Sequence, residues 1–177
     1  MDEVESSLRA QNDRLARHVV EACIEHKLTI ATAESLTAGL IAATIADIPG
    51  ASAVLKGGAV TYCDEIKHGV LGVTRETLDT QTAVSFACAR EMAVGARSLY
   101  EADIAVSATG YAGPGGGTPK DPAGTFYIGC EGDTALFGEM AAVSSQRFWH
   151  EGDRSVVRLF AVHDALSAIL SLLEFME

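Results

Sequence analysis

The 177-residue chain is 48% hydrophobic and carries a formal net charge of −11. That apolar content is enough for one globular domain with a sizeable core, expected over residues 1–177. The acidity argues against nucleic acid and anionic membranes as partners, since both need a basic face, but leaves room for a small anionic ligand held by a few local cations. No apolar run reaches membrane-spanning length, the acidic N-terminus has no signal-peptide pattern, and the cytosol is the expected compartment.

In chain order, residues 4–26 read as an amphipathic helix with Leu8, Leu15, Val19, Ala22 and Cys23 near one face. Leu28 to Ala33 is a short apolar strand. The chain then turns through Glu34, Ser35 and Leu36, and a helix is expected from about Thr37, with Leu40, Ile41, Thr44, Ile45 and Ile48 at helical spacing and Pro49-Gly50 as its stop. Lys56 to Thr61 is a second strand ending at Tyr62, followed by a turn at Cys63-Asp64 and a short helix through Lys67 to Gly72. Thr80 or Thr82 is expected to cap a helix running to about Tyr100, and Asp103 to Ala108 is a buried strand. Thr109 to Gly124 holds six of the 17 glycines and three of the four prolines, so it continues neither a helix nor a central strand. A hairpin is expected next, with arms Thr125 to Cys130 and Thr134 to Val143, and a last helix from about Asp153 to Phe175. Helices alternating with strands, with a hairpin late, predict an α/β fold: a three-layer α/β/α sandwich around a mixed, mostly parallel sheet.

Three loops at strand ends carry reactive groups, and parallel strands would bring them to one sheet edge, where ligands collect in open α/β folds. Ser35 sits where a strand hands over to a helix; it reads either as a helix cap, a role open to Thr37 too, or as a nucleophile beside free backbone N–H groups. Tyr62 and Lys67 follow the second strand. A lysine that takes a serine proton must be neutral, and lowering its pKa from about 10.4 to about 7.5 requires roughly 4 kcal/mol against the charged form. Equally, Lys67 reads as a solvated helix lysine and Tyr62 as a core-edge aromatic. The glycine loop after Thr109 reads as an anion-binding nest, an oxyanion hole or a plain surface loop. It is neither a P-loop nor a dinucleotide fingerprint. Arg154, with Arg147, His150 and Arg158, forms the densest basic group, suited to surface ion pairs or to gripping a carboxylate or phosphate. The four cysteines (Cys23, Cys63, Cys88, Cys130) lack C-x-x-C spacing and the five histidines lack H-x-x-x-H or H-E-x-x-H spacing, so free thiols, no metal and no cofactor are expected.

Together AESLTAG (Ala33 to Gly39), GGAVTYCDEIKHGVLGV (Gly57 to Val73), SATGYAGPGGGTPKDPAGTFYIG (Ser107 to Gly129) and GDRSVVR (Gly152 to Arg158) resemble the CinA C-terminal domain, the PncC-type nicotinamide-nucleotide amidohydrolases. The resemblance covers nearly the whole chain. It implies deamidation of nicotinamide mononucleotide, with Ser35, Tyr62 and Lys67 as the catalytic set and Thr37, Gly39, Thr109, Gly110, Gly113 and Arg154 in the substrate site. It also implies a homo-oligomer. Two-domain relatives add an N-terminal molybdopterin-binding-like domain with pyrophosphatase activity; only the amidohydrolase is expected of residues 1–177. Leu36 replaces the usual cysteine, Ala38 the first glycine, and Cys63-Asp64 the usual serine–asparagine. From these follow two expectations: the Ala38 methyl crowds the backbone near the ligand, and Asp64 brings a negative charge close to it.

Overall fold

The computed structural model describes residues 3–138 and 144–174. Its elements are α1 (Glu3–His26), β1 (Ile30–Glu34), α2 (Leu40–Ala46), β2 (Leu55–Val60), α3 (Asp64–Leu71), α4 (Arg75–Gln81), α5 (Phe86–Tyr100), β3 (Ile104–Gly110), β4 (Thr125–Gly132), α6 (Thr134–Phe137), β5 (Ser144–Trp149) and α7 (Arg154–Leu173). One five-stranded sheet has the order β2-β1-β3-β4-β5. β1 pairs in parallel with β2 and β3, while β4 runs antiparallel to both β3 and β5. Four strands therefore share one direction and β4 alone opposes them, which is the mixed, mostly parallel sheet expected.

The period-2 alternation of the strands decides the layers. Ile30, Ile104, Val106, Phe126 and Ile128 face α1, α2 and α7 in the larger core. Ala31, Ala33, Ala59 and Ala105 face the other way, towards α3, α4 and α5. Small residues on that face let α5 lie close to the sheet, where the Ser107 hydroxyl donates to the Ala89 carbonyl at 2.6 Å. Gly95 lets α5 lie close to α3 as well, since a Cβ there would collide with the Leu71 carbonyl. α7 has the length and composition of a membrane span, with mean hydropathy 1.8, contrary to the expectation that no run would reach it. Its apolar residues instead form part of the core with α1 and the sheet.

Several local expectations are corrected. α2 starts at Leu40 rather than Thr37, because Ala38 and Gly39 adopt left-handed backbone with φ of 52° and 92°. Neither Ser35 nor Thr37 caps it. The polar run after Val73 forms α4, capped by the Thr74 hydroxyl accepting from Thr77 N–H at 3.1 Å. α5 is capped by Ser85 rather than Thr80 or Thr82, its hydroxyl accepting from Cys88 N–H at 3.1 Å. The strand partner of β4 is β5, not Thr134 to Val143. Asp133 accepts from Ala135 N–H at 2.7 Å and turns the chain into α6; residues 139–143 lie outside those described. The last helix begins as expected after Asp153, whose carboxylate accepts from Ser155 and Val156 N–H at 2.9 and 3.0 Å.

Candidate active site

The register places Glu34 of β1 opposite Val60 of β2 and Ala108 of β3. The loops that leave these three strands therefore meet at one edge, where a cavity of about 260 Å³ opens. Ser35, Tyr62, Lys67, Thr109, Gly110, Gly113 and Arg154 all line it, with Leu36, Asp64, Val84 and Tyr111. Thr37, Gly39 and Ala38 are not in the lining. The Ala38 methyl lies outside the cavity wall and sits on left-handed backbone, a conformation costly for alanine.

Lys67 is the buried cation of the site, 2% exposed, beside Ser35 at 8%. Its Nζ lies 3.2 Å from Ser35 Oγ and donates to the Thr61 carbonyl at 3.0 Å. Burial holds the lysine below its usual pKa, against the opposing pull of Cys88, Asp64, Cys63 and Tyr62. Lys67 is also the fourth residue of α3, near the positive end of that helix, which acts in the same direction as burial. The solvated-lysine reading fails on these facts. Asp64 does face the cavity, as expected.

Tyr62 is 56% exposed, so it is not a core-edge aromatic. Its hydroxyl accepts from Arg154 Nη2 at 2.6 Å, and Arg154 Nη1 donates to the Gly113 carbonyl at 3.2 Å. Arg154 thus ties the strand-β2 turn, the glycine loop and α7 together across the cavity. Thr109 is buried, its hydroxyl donating to the Ala83 carbonyl at 2.6 Å, so it fixes the cavity wall through Ala83. Arg147 turns elsewhere, to Asp121 at 2.8 Å, and His150 to Asp164 at 3.3 Å.

Glu34 escaped sequence reading. It is buried, and its two carboxylate oxygens accept from Ile41 and Ala42 N–H at 3.0 and 2.9 Å and from the Thr32 hydroxyl at 3.2 Å. The first-turn N–H groups of α2 are therefore occupied and do not point at Ser35, contrary to expectation. Tyr111 N–H is occupied too, by the Thr125 carbonyl. Leu36 and Thr37 N–H, directly after Ser35, have no acceptor among the described residues. A sequence signal for Glu34 existed only in its place, an acid just before the turn into an apolar helix. No cluster of three His, Cys, Asp or Glu side chains suited to a metal ion occurs among the described residues.

Fold and site together define an open-sheet α/β protein with a buried serine–lysine pair at the carboxyl ends of its parallel strands. The chain belongs to the CinA C-terminal domain family, whose sequence profile matches residues 12–173. It is 42% identical over 159 residues to a CinA-like protein of Chlorobaculum tepidum, covering 90% of this chain and 37% of that one. With a CinA-like protein of Thermotoga neapolitana it shares 41% over 147 residues, 83% of this chain and 34% of the other. The chain thus spans about a third of the length of these curated relatives. Among solved structures, the competence/damage inducible protein CihA of Agrobacterium tumefaciens superposes with a TM-score of 0.85 at 36% identity, covering 92% of this chain and 95% of that one. A CinA superfamily protein of Klebsiella pneumoniae matches equally well, at 0.85 and 36%, covering 92% and 98%.

Proposed function

We propose that the chain is an amidohydrolase that converts nicotinamide mononucleotide to nicotinic acid mononucleotide and ammonia. The observation that carries this reading is the buried Lys67 Nζ at 3.2 Å from Ser35 Oγ, with its pKa lowered by burial. A neutral Lys67 takes the Ser35 proton directly, since its Nζ lies within hydrogen-bond reach of Ser35 Oγ. Ser35 Oγ attacks the carboxamide carbon, and the charge that develops on the carbonyl oxygen meets the unoccupied N–H group of Leu36, a residue of the cavity wall. The tetrahedral adduct collapses as protonated Lys67 returns the proton to the leaving nitrogen, and ammonia departs. Water, deprotonated by Lys67, then cleaves the Ser35 ester and releases the acid. Arg154, the exposed guanidinium of the lining, would bind the phosphate, exchanging its bonds to Tyr62 and Gly113 for the anion. The chemistry needs no metal or organic cofactor.

Ammonia release measured across pyridine nucleotides and simple amides tests the reading. Turnover confined to the mononucleotide supports it. Turnover of another small amide alone would reassign the substrate. Ligand-induced stabilisation with no ammonia from any member would reduce the chain to a nucleotide-binding module. That second reading draws on Asp64, a negative charge in the wall that faces an anionic substrate.

A further inference from the structure

Arg158 lies one helical turn beyond Arg154 on α7 and is half-buried. Its Nε donates to the Leu36 carbonyl at 3.0 Å and its Nη2 to the Thr37 carbonyl at 2.6 Å. No carboxylate pairs with it among the described residues. It does not line the cavity. All its described hydrogen bonds therefore go to the backbone of the two residues that follow Ser35.

That stretch of backbone is held from within by two turn hydrogen bonds, Ala38 N–H to the Ser35 carbonyl and Leu40 N–H to the Thr37 carbonyl at 3.2 Å. Ala38 and Gly39 are both left-handed, and the Thr37 hydroxyl is buried without a partner. In a trans peptide the C=O and the N–H point in opposite directions. A Leu36 carbonyl fixed on Arg158 therefore turns the Thr37 N–H away from the guanidinium. The Thr37 carbonyl does the same for the Ala38 N–H, which closes the turn onto the Ser35 carbonyl at 3.1 Å. From the other side the Ser35 N–H donates to the Ala108 carbonyl at 2.9 Å.

We infer that Arg158 is a positioning residue: through the Thr37 carbonyl it directs the Ala38 N–H onto the Ser35 carbonyl, and the other end of that Ser35–Leu36 peptide, the Leu36 N–H, is thereby held available to an oxyanion, without Arg158 itself touching substrate. A planar fork suits this task because two carbonyls at a fixed spacing need two donors at a fixed angle, which an ammonium does not supply. The inference rests on Ser35 being the nucleophile.

Arg158→Met and Arg158→Lys, compared with wild type, provide the test. Ammonia release from nicotinamide mononucleotide is read beside the backbone amide signals of residues 36–38 in the ligand-free protein. Arg158→Met is expected to lower kcat by about 10²-fold, the scale of one lost oxyanion donor, with little change in KM and with displaced amide signals at 36–38. Arg158→Lys should fall between, and added guanidinium ion should restore part of the Arg158→Met activity. An unchanged kcat overturns the inference, as does a fall carried by KM with the amide signals unmoved, which would put Arg158 on the substrate. If Arg158→Met does not fold, the same readings on Arg158→Lys decide. Normal turnover in Ser35→Ala would remove the nucleophile reading, while the ligand-free amide signals would still report whether Arg158 sets the turn.

Discussion

After β1 the chain enters α2 through a buried carboxylate; after β2 it enters α3 with no side-chain cap from Cys63. Both turns sit at the same edge of the same sheet, yet they treat a helix start differently. Glu34 consumes the N-terminal amides of α2, so that helix contributes anchorage and no field to the cavity. α3 has two exposed acids, Asp64 and Glu65, in its first turn and carries Lys67 at its fourth position, where burial disfavours a charged amine against the pull of Asp64. One turn therefore holds Ser35, the proposed nucleophile, still, and the next places the lysine proposed to deprotonate it.

The largest expected effect comes from the first turn. Ser35→Ala should lower ammonia release by at least about 10³-fold with the unfolding midpoint little changed; near-wild-type turnover would break the assignment. Lys67→Met should cost about 10²–10⁴-fold in kcat. Its stability should move the other way. A charged amine in that buried place is penalised in the folded state, fully so at pH below its lowered pKa. The penalty is relieved as pH rises through that value towards the ordinary 10.5. Lys67→Met is thus expected to be more stable than wild type at pH 7, by a margin that shrinks in alkali; denaturant midpoints at several pH values check this.

Glu34→Ala sharpens the contrast from the other side. It leaves the Ile41 and Ala42 N–H groups without their acceptor, at about 1–3 kcal/mol each, and thermal unfolding should show it. Were the end of α2 an electrostatic contributor to the cavity, removing the plug would raise activity; the expectation is a loss. The smallest effect belongs to Asp64→Asn. Asp64 raises the Lys67 pKa, so its neutralisation should move the acid limb of the pH–rate profile to lower pH and increase kcat at pH 7 by a few-fold, about the size of one partly screened charge. A limb shifted towards alkali would refute the link between Asp64 and Lys67.

Much of the architecture was legible in the chain. The alternation of Ile104, Val106 and Ala108 with Ala105 and Ser107 announces a strand covered on both faces, and the glycine loop marks its end. α4 was not legible because its Arg-Glu-Thr-Leu-Asp-Thr-Gln run has almost no apolar stripe; its cap and its packing on α5 make the helix. Period alone also misplaced the second hairpin arm, since nothing in it registers that Asp133 would start a helical turn. At the site, residue type and order pointed to Ser35, Tyr62 and Lys67 through resemblance, not through spacing. Their proximity depends on strand register over long separations. Glu34, and the partners of Arg158, stayed hidden for a related reason: each side chain binds backbone amides or carbonyls, which leave no residue-type signature at the other end of the bond.

The bridge from Arg154 to Tyr62 and Gly113 has a consequence for how this molecule comes together. Its three anchors are separated by 92 and 41 positions along the chain, and the Ser35 amide waits for Ala108 of β3. Such distant closures are entropically late events. The cavity therefore cannot be assembled by a nascent chain until α7 has been made, because that helix supplies Arg154, the far end of the bridge.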